Sequence, residues 1–154
     1  MLRFALVLVL AAGMAFAQTD IAAARQAVQD AETAYGPRHP ATAMQIRNLA
    51  LAFAEAGYNN QAEHYARASL SILESRFGPS DVSLVPALNV LTEAYAAEGR
   101  YTEAVRIAMR AIAIGAEAGP HYAVALHNAA AVLERQGKRK EAVEYYTRAL
   151  TVRR

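Results

Sequence analysis

The chain has 154 residues, with 16 Lys and Arg against 14 Asp and Glu, a formal charge of +2 and no cysteine. The missing thiols exclude disulfides, thiolate metal sites and cysteine nucleophiles, and the near balance of charge gives no electrostatic case for nucleic acid. Apolar residues make up 55% of the chain, so hydrophobic interfaces must hold it together.

The N-terminus reads Met1-Leu2-Arg3, runs apolar from Phe4 to Phe16, and reaches Ala15-Phe16-Ala17 before Gln18. One basic residue, a short apolar core and small residues at the first and third positions before a cut predict a signal peptide over 1–17, cleaved after Ala17. The run is shorter than the roughly 20 apolar residues that span a bilayer, so no membrane span is expected once it is removed. Lys138 and Lys140 are the only lysines and alanine is abundant, which suits a GC-rich bacterial genome. The expected location is periplasmic or secreted.

After the leader, a helix is expected over about 21–35, within a packing segment 18–35. Gly36-Pro37, Gly78-Pro79 and Gly119-Pro120 then divide the chain into units 36–77, 78–118 and 119–154, because Gly ends a helix in a left-handed turn and Pro cannot continue it. A second break inside each unit, at Gly57, Gly99 or Gly137, gives helix pairs over 40–56 with 60–76, 82–98 with 101–117, and 121–136 with 139–153. Pro86 falls about one turn into its helix, where a missing amide costs least.

The first helix of each pair carries one apolar stripe at i, i+3, i+4 and i+7. The stripes are Ile46/Leu49/Ala50/Phe53, Leu88/Leu91/Thr92/Tyr95 and Leu126/Ala129/Ala130/Leu133. In the second helices Ala62, Ala104 and Ala142 recur five residues after the Gly, at the tightest point of each hairpin. A period near 40 residues marks a solenoid, in which each unit buries its apolar face only against its neighbours.

The run Ile46-Arg47-Asn48-Leu49-Ala50, with Phe53, Gly57-Tyr58, Ala62-Glu63, Ala66 and Leu70, resembles a tetratricopeptide repeat (TPR), and the later units match it at the same places. Gly36-Pro37-Arg38-His39-Pro40 ahead of that run is similar to the longer, 42-residue repeats of the kinesin-light-chain type. Ser80-Asp81 replaces Arg38-His39 in the second unit, Val90 replaces the Asn of Asn48 and Asn128, and the third unit is three residues shorter before Asn128. The resemblance implies an all-α, right-handed superhelix of antiparallel helix hairpins, about three repeats plus one N-terminal helix. It also implies a non-enzymatic module that binds a protein or peptide, with no cofactor.

In that fold the first helices line a concave groove. The family's groove positions fall on Met44, Arg47, Asn48, Leu51 and Glu55, on Asn89, Val90, Glu93 and Ala97, and on Val124, His127, Asn128, Ala131 and Glu134. Asn48, Asn89 and Asn128 can donate and accept at once, which suits the backbone of an extended peptide. A clamp for a peptide's terminal carboxylate needs several cations in the groove, and only Arg47 answers.

The last helix presents Val143, Tyr146, Leu150 and Val152, and terminal repeats of solenoids normally carry a polar cap. A second copy, another protein, or water reached by the Tyr145 and Tyr146 hydroxyls are the open coverings, so an end-to-end structural subunit stands beside the groove binder. A solute-binding or transport accessory role would instead need a deep apolar pocket between helices.

Of the four histidines, His39, His64, His121 and His127, no two share a helical face at i, i+4, so no metal site is expected. His127 and Glu134 align over two turns but form only the smallest part of an acid/base pair. The basic run Arg135-Gln136-Gly137-Lys138-Arg139-Lys140, flanked by Glu134 and Glu141, reads as a solvated connector.

Overall fold

The computed structural model describes the backbone of residues 2–152 and the side chains of Gln18 and of residues 20–152. The expected leader, residues 1–17, lies outside the residues described with their side chains. Seven α-helices are found among the described residues: α1 Leu2–Tyr35, α2 Pro40–Glu55, α3 Asn59–Phe77, α4 Val85–Ala97, α5 Tyr101–Ile114, α6 Pro120–Arg135 and α7 Arg139–Val152. Helices α2/α3, α4/α5 and α6/α7 pack as hairpins, while α1 lies on α2, α3 on α4 and α5 on α6. Helix α4 also touches both α2 and α6, so the three first helices form one continuous layer.

The turn inside each hairpin follows from its glycine. Gly57 adopts φ 81°, which lets its amide donate to the Ala54 carbonyl at 3.0 Å while Tyr58 N donates to Phe53 O at 2.8 Å. Together these satisfy carbonyls that the end of α2 would otherwise leave unpaired. Gly99 and Gly137 repeat the arrangement at the ends of α4 and α6.

Every position of the three predicted stripes is buried, and Ala62, Ala104 and Ala142 are 0%, 0% and 2% exposed. Alanine at these contacts lets paired helices approach closely, which a larger side chain would prevent. Helix starts carry the expected signals. His39 Nδ1 accepts from Ala41 N at 3.1 Å ahead of Pro40, and Asp81 Oδ1 accepts from Ser83 N at 2.9 Å.

Three boundaries differ from the sequence expectation: α1 runs from Leu2 rather than starting near 21, and two others lie in the later units. Residues Val82–Leu84 form a 3-10 turn and α4 begins only at Val85, which leaves Pro86 in the first turn, where it displaces no helical hydrogen bond. Helix α5 stops at Ile114 rather than 117, because Gly115 takes φ 105° and ψ 178°. Gly78 ends α3 in the same conformation, at φ 91° and ψ 171°. Gly115 is therefore the counterpart of Gly78, and Gly119 instead opens α6 after a short 3-10 turn over Ala116–Ala118.

Junctions between units differ in chemistry. Where α3 and α5 meet α4, Tyr95 is 1% exposed and its hydroxyl donates to Glu63 Oε1 at 3.0 Å while accepting from Arg67. Arg100 lies 4.1 Å from the Tyr95 ring centre and bonds Glu63 and Glu98 at 2.9 and 3.1 Å and Glu103 at 3.2 Å. At the next junction Leu133 replaces the tyrosine, and Val105 and Met109 pack against its cluster.

Candidate functional site: the channel over the first helices

The exposed faces of α2, α4 and α6 enclose two open depressions. The first, of about 260 Å³, is lined by Arg47, Asn48 and Leu51 of α2, Pro86, Asn89, Val90 and Glu93 of α4, and His121 and Val124 of α6. The second, of about 220 Å³, lies between α4 and α6 and is lined by Thr92, Glu93, Ala96, Ala97, Asn128, Ala131, Val132 and Arg135. Glu93 lines both, so they form one track.

Most of the expected groove residues meet here, with different degrees of exposure. Leu51 is 38% exposed, Asn48 and Glu93 are exposed, and Arg47, Val124, Asn128 and Ala131 are half-buried. Asn89 and Val90 are nearly covered, at 4% and 5%. Met44, 51% exposed, and Glu55 line neither depression.

His127 and Glu134 also stand apart from the track. His127 lines a separate depression with Tyr146, Ala149 and Leu150, its ring 5.4 Å from that of Tyr146, whose hydroxyl donates to Glu134 at 3.2 Å. His127 occupies on α6 the place that Asn89 holds on α4, and α4 has a further first helix beside it to complete the channel wall. Among the described residues α6 has none. Among those residues, too, no three His, Asp or Glu side chains gather as metal ligands would.

Asn89 is tied into the fold. Its Nδ2 donates 2.9 Å to the His121 carbonyl across the α4–α6 contact, and its buried Oδ1 has no partner among the described residues. Asn128 Nδ2 donates to Glu93 Oε1 at 2.9 Å, a bridge across the same pair of helices nearer the open surface. Arg47 Nη2 donates to Asn48 Oδ1 at 2.7 Å, and Asn48 Nδ2 to Gln45 Oε1 at 3.2 Å.

Burial pushes the Arg47 pKa below its ordinary value, although a guanidinium remains charged throughout the working range. Burial and, second, the Arg47 charge both push His121 down. His121, Pro86, Thr92, Ala96, Val132 and Arg135 were not among the expected groove residues, and Arg135, which reads in the sequence as part of a solvated connector, lines the track instead. Only the Pro that opens each first helix hinted at a helix end beside the channel.

Residues 42–82 and 83–154 each match a tetratricopeptide-repeat family model. A comparison with curated proteins returns no match. Among solved structures the chain is similar to BtubC (BKLC) from P. vanneervenii, at 19% identity and a TM-score of 0.77 over 90% of this chain and 57% of that one. It is also similar to a putative kinesin light chain of Podosopora anserina with nearly identical TPR-like repeats, at 22% identity and a TM-score of 0.72 over 88% and 66%. A singly substituted form of the latter gives a TM-score of 0.73. The chain thus spans less than two thirds of the length of these structures. Their likeness gives the fold, a superhelix of helix hairpins, while the matched repeat family serves generally as a non-catalytic protein-interaction module. With family models covering both halves of the helical array, the chain belongs to the tetratricopeptide-repeat family.

Proposed function

We infer that the chain binds an extended segment of a partner protein along the channel over α2, α4 and α6. The observation that carries this reading is the continuity of the two depressions through Glu93, across three successive first helices. Their floor is apolar or small, with Leu51, Val90, Val124, Ala97 and Ala131, and their walls offer polar groups of both kinds. A chain exported through a leader at 1–17 would meet its partner in the periplasm or outside the cell.

Leu51→Arg tests the reading, because it places a long charged side chain in the first depression from a position that is already partly exposed. A peptide selected from a display library against the wild-type chain should bind this variant at least about tenfold more weakly, the loss of one well-placed contact. Arg106→Ala, on an exposed face of α5, should bind as wild type does. Equal loss in both variants, or in neither, would show that the channel is not where the peptide sits.

A further inference from the structure

Arg67, Arg100 and Arg110 each hold at least one carboxylate, through Glu63, through Glu63, Glu98 and Glu103, and through Glu74. The charged groups of the channel make no such pair among the described residues. Arg47 is half-buried, yet its side chain bonds only the neutral Asn48 amide and makes no ion pair among the described residues. Glu93 accepts from the neutral Asn128 amide, and Arg135 stands at the far rim; neither makes an ion pair among the described residues. Arg47 and Glu93 line one depression without pairing with each other. Of the three only Arg47 is partly desolvated, Glu93 and Arg135 being exposed, and a half-buried charge without a counter-ion costs stability that an oppositely charged occupant can restore.

Resting on the channel reading above, we propose that the bound segment carries an acid, a base and an acid in that order, facing Arg47, Glu93 and Arg135. The three charges sit on α2, α4 and α6, and their order of cation, anion, cation is symmetric about Glu93. The complementary order therefore holds for either chain direction of the occupant. Neighbouring packed helices lie ~8–10 Å apart and an extended chain advances ~3.3 Å per residue, so the charges should recur about every third residue.

The test uses three capped, fluorescein-labelled seven-residue peptides with Leu and Ala between the charges, titrated with the full chain by anisotropy. One carries Asp, Lys, Asp at positions one, four and seven. A second has the same composition in the order Asp, Asp, Lys, and a third has the inverted order Lys, Asp, Lys. The first should bind about tenfold tighter than the second, as expected of partly screened ion pairs acting together, and the third should bind weakest. Glu93→Lys should remove the preference for the first over the second. Circular dichroism checks that this variant keeps its helix content; Glu93→Gln, which removes only the middle pair, should narrow the preference without abolishing it. Equal binding of the first two peptides, or a preference undiminished in the Glu93 variants, overturns the charge order. If Leu51→Arg still weakens both in that case, the channel reading stands. Failure of all three to bind at millimolar concentration overturns both.

Discussion

Glu63 shows how one side chain joins two units. Burial alone would raise its pKa, but hydrogen bonds from Arg67, Tyr95 and Arg100 outweigh burial and hold the carboxyl below its ordinary value. A carboxylate whose folded pKa is depressed adds stability above its unfolded pKa of ~4.3 and loses it as pH falls through the folded value. Glu63→Gln should therefore destabilise the chain by ~1 kcal/mol at pH 7, a figure kept small by the solvent exposure of Arg67 and Arg100. The difference should shrink as pH falls below the unfolded value toward the depressed folded value. Urea denaturation at several pH values measures both slopes, and a constant gap from pH 7 to 3 would exclude Glu63 as the titrating link. The links between units were not legible in the sequence, because Tyr95 to Arg67, Tyr95 to Glu63 and Arg100 to Glu63 span 28 to 37 residues and only the superhelix brings them together. The same holds for Asn89, which reads as a peptide-binding amide until His121, 32 residues on, supplies its partner carbonyl. Arg47, Asn48, Leu51 and Glu93 were legible as channel residues only through the groove positions that the resemblance to tetratricopeptide repeats implies, carried onto helices whose period sets their faces.

Helices were the most readable level. The apolar stripes, the interior alanines and the turn glycines each express a single local rule, and the three units repeat all of them, so each unit checks the others. The end of α5 was misplaced because Gly115 lacks the following Pro that marks Gly36 and Gly78, while Gly119 has one. Backbone conformation settles the assignment, since Gly115 at φ 105° and ψ 178° occupies a region that only glycine enters readily. A Cβ added there meets no atom within 4 Å, so the cost of a side chain is conformational, without a clash. Gly115→Ala should destabilise by ~1–3 kcal/mol, read as a lower thermal midpoint with unchanged helix content. A variant as stable as wild type would mean that α5 can run on toward 117, as the sequence pattern alone suggests.

Across the whole molecule, burial is graded along the stack. Helix α4 has nine of its 13 residues buried and touches neighbours on all sides, whereas α7 has two of 14. In a solenoid the stability of each unit is its own plus that of its interfaces, so a helix with one partner opens at lower free energy than one with several. Native-state amide exchange should be slowest in α4 and fastest in α7 for the chain at micromolar concentration. Leu150 makes the point within one repeat position, since its counterpart Leu70 is 6% exposed under α4 while Leu150 is 66% exposed, with Val143 at 62% beside it. If a second copy covers that face, protection of α7 must rise with protein concentration while that of α4 stays fixed, because association stabilises by mass action only what it covers. Concentration-independent exchange in α7 would exclude self-association through this helix. Slow exchange there at every concentration would contradict the graded stack itself.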